Sequence, residues 1–240
     1  GDIFSKATEK AAEDPRVILI KLADRLHNVK TIAGHRNPEK QNRIALETLE
    51  IFAPLANRLG MGKLRGELED YAFPYAYPEE YKKVKEIVHA EGKVSEKYVG
   101  KIHKTLQKEL IKEGFTHFQI DHRVKHLYSL YKKLGRHDMD IEKIYDLVAL
   151  RIVVPTVGDC YRVLGIVHNM WRPLPGRIKD YIAVPKPNGY QSLHTTIFTG
   201  DGGFAEIQIR TEEMNREAEY GIASHLAYKE GILEVIKRHA

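Results

Sequence analysis

The feature that most limits the fold is a strict alternation of polar and apolar residues near the C-terminal end of the chain. Glu206, Gln208 and Arg210 alternate with Ile207 and Ile209. A period of two places the polar set and the apolar set on opposite faces of a β-strand. We therefore predict a half-buried strand that presents a carboxylate on its polar face.

A turn-rich stretch, residues 176–194, precedes this strand. Pro185, Pro187 and Gly189 break regular structure, so we predict a shaped loop. Its polar side chains are Arg177, Lys179, Lys186, Asn188, Tyr190, Gln191 and His194. A basic loop with an aromatic ring, placed opposite a carboxylate, suits a phosphate-rich ligand. Taken separately, the two parts also fit an ordinary half-buried strand and a solvated surface loop.

Two more groups of charged residues lie upstream. Lys125, Ser129 and Lys133 are spaced four residues apart, so on a helix they form one ridge that can hold consecutive phosphates. An exposed basic face is the alternative. Asp146 precedes an apolar segment that reads as a buried strand, and a carboxylate at the mouth of a sheet is a suitable Mg²⁺ ligand. A helix cap is the alternative for Asp146.

The composition bounds the class of protein. With 240 residues, of which 42% are hydrophobic and 30% charged, the chain can form one or two domains with their own cores. No apolar run approaches the roughly 18 residues that span a membrane. Cys160 is the only cysteine, which excludes an internal disulfide and fits a cytoplasmic location. The net charge of +5 favours polyanionic partners, either nucleic acid or nucleotide phosphates.

Six ordered segments carry a resemblance to a known family. They are VILIKLADRLHNVKT, RVKHLYSLYKKL, IYDLVALRIVV, GRIKDYIAVPKPNGYQSLHTT, EIQIRT and AEYGIASHLAYKE. Together they resemble the RelA/SpoT family, which makes and degrades the alarmone (p)ppGpp. The resemblance implies an α+β fold: a helical remnant of an HD-type hydrolase domain in residues 1–90, a linker helix in 91–114, and an α/β synthetase domain in 115–240. That last domain would hold a nucleotidyltransferase-like mixed sheet of about five strands.

The resemblance also implies the two nucleotide sites. Arg123 and Arg151 would enclose the adenine of ATP, and Lys125, Ser129 and Lys133 would hold its phosphates. The family usually has Gly before this first arginine, where this chain has His122. The residues expected to bind GDP or GTP are Lys186, Asn188, Tyr190, Gln191, His194, Gln208 and Asn215.

The implied reaction is transfer of pyrophosphate from ATP to the 3′-hydroxyl of GDP or GTP. A secondary hydroxyl needs a base, and Glu206 is the best-placed carboxylate. Asp146 and Glu206 would hold Mg²⁺, while Arg177 and Lys179 would stabilise charge on the transferred phosphates. A nucleotidyltransferase, or a basic RNA-binding module with an inactive site, is the rival reading.

The segment KLADRLHN resembles the last metal-binding segment of the family's hydrolase domain. Asp24 matches a manganese ligand, and Asn28 shares its helical face. No His precedes His27, so the Mn²⁺ site is predicted to be incomplete and hydrolysis by this chain is not expected. A solvated polar face is the alternative. A ribosome contact, which the parent protein could make, is not expected through this region.

Overall fold

The computed structural model describes residues 14–91 and 96–224. The chain divides into two compact units: residues 14–79 together with 216–224, and residues 80–215. The first unit is helical and the second contains the β-sheet. The α+β class predicted from the sequence is thereby confirmed. Within the described ranges, no helix is both long enough and apolar enough to cross a bilayer.

The helical unit begins with a capped helix. Asp14 accepts a hydrogen bond from the Arg16 backbone N–H at 3.0 Å, and Pro15 occupies the first helical position, a favourable pair at a helix start. The elements are α1 (Pro15–Lys30), a 3₁₀ turn (Ile32–Gly34), α2 (Pro38–Glu47), a π-helical turn (Thr48–Phe52), α3 (Ala53–Arg58) and α4 (Gly62–Ala76). The apolar stripe of α1 is buried, as predicted for Ile18, Leu22, Leu26 and Val29.

The π-helical turn (Thr48–Phe52) lies directly before Pro54. Proline has no backbone N–H and its ring crowds the preceding turn, so an α-helix cannot pass through it unchanged. The Thr48 hydroxyl donates to the Ile44 carbonyl at 2.7 Å. Helical segments flank the turn on both sides, so the break that Pro54 predicts is a local widening of the helix.

The sheet unit contains five strands and the helices that support them. Its elements are α5 (Pro78–Ala90), whose first two residues belong to the helical unit, α6 (Glu96–Lys112), β1 (Gln119–Val124), α7 (Leu127–Leu134), a 3₁₀ turn (Ile141–Lys143), β2 (Val148–Val154), α8 (Val157–Met170), β3 (Lys179–Asp180), β4 (Leu193–Phe198) and β5 (Phe204–Thr211). A last helix, α9 (Glu212–Tyr220), begins in this unit.

The strand order is β1-β2-β5-β4-β3. The central pair, β2 and β5, is parallel, and the other neighbours are antiparallel. The mixed sheet of about five strands is thus confirmed. The β2–β5 pairing brings together two segments that lie about fifty residues apart in the chain, and it sets Ala149 opposite Glu206.

One face of the sheet forms the core of this unit. Leu150, Ile152, Ile207 and Ile209 are fully buried there and belong to one cluster with residues of α6 and α8. Cys160 belongs to the same cluster, and burial raises the pKa of its thiol to about 11. The opposite face of the sheet carries most of the polar and charged strand residues.

Candidate active site

Pairing register places several of the predicted site residues, including Glu206 and Lys179, on that polar face. Directly paired residues of neighbouring strands share a face of a sheet. Gln208 pairs with Arg151 on one side and with His194 on the other, and Lys179 pairs with His194. Because Glu206 lies two residues from Gln208, it projects from the same face. The alternation of β5 read from the sequence is confirmed.

A closed set of contacts surrounds the Glu206 carboxylate. Gln208 Nε2 donates to Glu206 Oε1 at 2.7 Å, and His194 Nδ1 lies 3.8 Å from the same oxygen. Arg210 Nη2 donates to Gln208 Oε1 at 2.6 Å and to the Tyr190 hydroxyl at 2.7 Å. That hydroxyl lies 2.7 Å from His194 Nε2. We call these five side chains the Glu206 ring.

His194 is neutral within this ring. Burial, together with the positive charges of Arg210, Lys186 and Lys125, lowers the pKa of His194 to about 3, although Asp146 acts in the opposite direction. A buried imidazole near several cations is expected to lose its proton. Lys125 and Asp146 therefore lie close enough to His194 for their charges to act on it.

A second cluster forms around Asp146. Lys125 Nζ contacts Asp146 Oδ2 at 2.8 Å, and Lys133 Nζ contacts the same oxygen. Burial raises the pKa of Asp146, but the two ammonium groups outweigh it and the pKa is lowered. Burial also lowers the pKa of Lys125 in spite of this carboxylate. We call these three residues the Asp146 cluster. Asp146 lies in a turn before β2, which disfavours its reading as a helix cap.

The predicted helical ridge of Lys125, Ser129 and Lys133 is wrong at its first member. Helix α7 begins only at Leu127. Lys125 precedes it, and its backbone N–H donates to the Leu147 carbonyl at 2.9 Å. Ser129 and Lys133 do lie one turn apart on α7. The two lysines still converge, because a contact between distant segments brings Lys125 to Asp146.

The loop before β4 places three predicted cations near aromatic rings or the sheet edge. The Arg177 guanidinium carbon lies 5.4 Å from the centre of the Tyr145 ring. Tyr145 directly precedes Asp146 in the chain. Lys186 Nζ lies 4.6 Å from the Tyr181 ring centre and 5.0 Å from that of Tyr190. Such distances are within the range of cation–π attraction. Lys179 lies on the edge strand β3 and is exposed.

Other polar residues of this loop are used in its own structure. Asn188 Oδ1 accepts from the Tyr190 N–H at 3.2 Å, and Gln191 Nε2 donates to the Ile182 carbonyl at 3.2 Å. Gly189 has a φ of +83°, a conformation that glycine adopts without strain. The nucleotide contacts expected of Asn188 and Gln191 remain predictions.

Asp180, which follows Lys179 at the end of β3, also has a structural role. It accepts hydrogen bonds from the N–H groups of Ile182 and Ala183 and from the Tyr161 hydroxyl. Burial opposes ionisation, but these hydrogen bonds lower the pKa of Asp180. The carboxylate therefore shapes the turn that follows β3.

The predicted adenine-binding residues lie on neighbouring strands. Arg123 pairs with Ala149, which also pairs with Glu206, and the side chain of Arg123 lies outside the described residues. Arg151 Nη2 contacts Asp121 Oδ2 at 3.3 Å. Asn215 is half-buried on α9, and among the described residues its Oδ1 has no hydrogen-bond partner. The nucleotide roles of these residues stay predictions.

The residual hydrolase segment lies on α1 in the helical unit. Asn28 Nδ2 donates to Asp24 Oδ2 at 3.3 Å. In the ranges that the structure describes, no three or more His, Cys, Asp or Glu side chains are grouped to hold a metal ion. The incomplete Mn²⁺ site and the lack of hydrolysis remain predictions.

Sequence reasoning assigned no role to Arg210, although the structure places it at the centre of the Glu206 ring. Its side chain is only 4% exposed. The available signal was its position on the polar face of β5, two residues from Gln208. Tyr181 was missed as well; its ring lies edge-on to His194 at 5.3 Å between centroids.

Comparison with known proteins finds two family models. The region found in RelA/SpoT proteins matches residues 122–232, and an HD domain matches residues 8–62. Among solved structures, a GTP pyrophosphokinase family protein from Streptococcus pneumoniae is 28% identical; the match covers 60% of this chain and 79% of that chain, with a TM-score of 0.43.

Three curated relatives are close in sequence, and each match covers 95% of this chain. A guanosine-3′,5′-bis(diphosphate) 3′-pyrophosphohydrolase from Aquifex aeolicus is 52% identical, a GTP pyrophosphokinase from Myxococcus xanthus 48%, and the bifunctional (p)ppGpp synthase/hydrolase SpoT from Escherichia coli 46%. The matches cover 33%, 30% and 32% of these relatives, so the chain spans about a third of their length. On these sequence matches, the chain belongs to the RelA/SpoT family.

Proposed function

We propose that the sheet unit transfers the pyrophosphate group of ATP to the 3′-hydroxyl of GDP or GTP, giving (p)ppGpp and AMP. The observation that carries this proposal is the position of Glu206: its carboxylate is partly exposed, on the polar face of the sheet, within the Glu206 ring. Relatives named GTP pyrophosphokinase and (p)ppGpp synthase support it. Another relative is named for a different reaction, hydrolysis of the 3′-pyrophosphate, so both activities are assayed.

The proposed reaction is a displacement at phosphorus. The 3′-oxygen bonds to the β-phosphorus of ATP, the bond from that phosphorus to the oxygen bridging to the α-phosphate breaks, and AMP leaves with that oxygen. Glu206 receives the hydroxyl proton. Lys125, Lys133 and Arg177 stabilise the charge on the phosphates, which is the main requirement of phosphoryl-type transfer.

Asp146 fits a magnesium ligand. Mg²⁺ prefers oxygen and usually takes one or two carboxylates together with phosphate oxygens and water. Both lysines contact Oδ2 of Asp146, which leaves Oδ1 for a cation. Glu206 is the second proposed ligand. When bound, the ion would neutralise charge on the transferred phosphates.

The test is to incubate the chain with labelled ATP, Mg²⁺ and either GDP or GTP, and to look for ppGpp or pppGpp. We expect product with the wild-type chain. A chain that formed none, but bound RNA with a steep dependence on salt, would instead be the basic RNA-binding module. The same preparation, given ppGpp and Mn²⁺, is expected to release no pyrophosphate.

The variant Glu206→Gln tests the base. It keeps the size of the side chain but removes the proton acceptor, so we expect product to be lost while nucleotide binding is largely retained. The matched control is Glu113→Gln, because Glu113 is an exposed glutamate in the same unit and its replacement should change nothing. Normal turnover by Glu206→Gln would show that another group takes the proton.

A further inference from the structure

The strongest unassigned feature is a buried cation behind the candidate base. Arg210 is 4% exposed, and its guanidinium carbon lies 5.2 Å from the centre of the Tyr190 ring. A buried guanidinium is retained only when it is hydrogen-bonded, because removing a charge from water is costly. Hydrogen bonds lead from Arg210 along two paths. The first path ends at Oε1 of Glu206, and the second ends at His194, whose Nδ1 lies 3.8 Å from the same oxygen.

The first path runs through Gln208. A guanidinium can only donate, so Gln208 must turn its carbonyl oxygen towards Arg210, at 2.6 Å. The amide NH₂ group of Gln208 then necessarily points the other way and donates to Glu206 Oε1 at 2.7 Å. The arginine thus fixes which end of an otherwise ambiguous amide faces the carboxylate.

The second path runs through Tyr190 and His194. The Tyr190 oxygen accepts from Arg210, so its own hydrogen is available to His194 Nε2 at 2.7 Å. When Tyr190 donates to Nε2, that nitrogen carries no proton, and a neutral imidazole then holds its proton on Nδ1. That nitrogen is the one 3.8 Å from Glu206 Oε1.

We propose that Arg210 is a positioning residue that sets the direction of both hydrogen-bond paths, so that two donors face Oε1 of Glu206 and Oε2 is kept for the acceptor hydroxyl. The inference rests on the proposed function for the identity of that hydroxyl. The direction of the hydrogen bonds involves the Glu206 ring alone and can be tested without any turnover.

The direct test is the protonation of the His194 ring, read by long-range ¹H–¹⁵N NMR on the wild-type chain near neutral pH. His194→Gln identifies the signal among the 12 histidines. We expect a neutral ring with its proton on Nδ1. A ring protonated on Nε2, or on both nitrogens, would overturn the proposal.

Variants of the arginine give a second, kinetic test. Arg210→Met removes the source of both paths, so we expect mixed His194 tautomers and a kcat lower by about 100-fold, with KM for ATP unchanged. Arg210→Lys keeps the charge but lacks the planar fork of donors, and should restore only part of the rate. Arg162→Met is the matched control, because Arg162 lies over Phe115 and contacts the Glu113 carbonyl, away from the ring.

A folded Arg210→Met protein that kept both the Nδ1 tautomer and the wild-type kcat would refute the assignment. Should that variant fail to fold, Tyr190→Phe removes only the second path and leaves the arginine in place. His194 should then lose its preference for the Nδ1-protonated tautomer, and an unchanged tautomer would refute the proposal. If the wild-type chain formed no (p)ppGpp, the proposed function would fail. The tautomer measurement would still decide the direction of the hydrogen bonds in the Glu206 ring.

Discussion

Replacing Asp146 by Asn removes the only carboxylate that the described residues place between Lys125 and Lys133. Two ammonium groups that contact one oxygen lie no more than about 5 Å apart, and like charges at that distance repel by about 3 kcal/mol at an effective dielectric constant of about 20. The Lys133 side chain is 36% exposed, so it can turn towards water and relieve part of the repulsion. We therefore expect Asp146→Asn to lower the free energy of unfolding by about 1–3 kcal/mol.

The assay is thermal and urea denaturation without nucleotide. A loss of this size corresponds to a Tm lower by about 3–10 °C for a chain of this length, and it should shrink as salt is added. The pKa of Asp146 is lowered from 3.8, so its stabilisation is present above that value and is lost as pH falls through the folded value. The difference between wild type and variant should therefore be largest near neutral pH and disappear in acid.

The alkaline side gives an independent check. Burial already lowers the pKa of Lys125 from 10.5, and without Asp146 it should fall further. A lysine whose pKa is lowered in the folded state makes that state more stable as pH rises towards 10.5, because the unfolded chain then binds more protons than the folded chain. The variant should thus recover stability on the alkaline side. Asp138→Asn, at a side chain that is 93% exposed, is the matched control. If Asp146→Asn were as stable as wild type at low salt, the cluster would contribute nothing to folding.

Two further predictions concern the Glu206 ring and the turn between β4 and β5. His194 has a pKa of about 3 in the folded chain against an ordinary 6.5, so the free energy of unfolding should fall by about 1.4 kcal/mol per pH unit below pH 6.5. Urea denaturation at several pH values should show a shallower dependence of this free energy on pH for His194→Gln. Equal pH dependence in the two proteins would contradict the prediction. Gly203→Ala would place a methyl group against the Tyr98 hydroxyl and 2.9 Å from Thr199 Oγ1, so we expect the free energy of unfolding to fall by about 1–3 kcal/mol. Gly165→Ala, at an exposed position of the helix α8, should instead stabilise the chain. A Gly203→Ala variant as stable as wild type would show that Tyr98 moves aside at no cost.

The faces of β5 could be predicted from sequence because the alternation of Ile207 and Ile209 with polar residues depends only on local geometry. The buried face of α1 agrees in the same way with the helical spacing of its apolar residues, and Pro54 follows the widened turn. These features are set by residues close together in the chain. A single sequence therefore contains enough information to place them.

The partners across the site could not be predicted in this way. Lys125 is held by the Leu147 carbonyl, and its ammonium group meets Asp146 twenty-one residues later. Ala33 continues the helical spacing of Leu26 and Val29 in the sequence, but it is exposed because the chain turns there as a 3₁₀ helix. The polar face of Arg210 follows from the alternation, but its burial could not be predicted, since burial of a strand residue depends on which strands pack beside it.

The parallel pairing of β2 and β5 has a consequence for how the chain folds. About fifty residues separate β2 from β5, and the segments that carry Asp146 and Glu206 become neighbours only when these two central strands pair. Contacts between such distant segments form slowly, because a long loop must close first. Until then the Asp146 cluster and the Glu206 ring lie on two separate parts of the chain, and only the β2–β5 pairing sets them in one sheet unit.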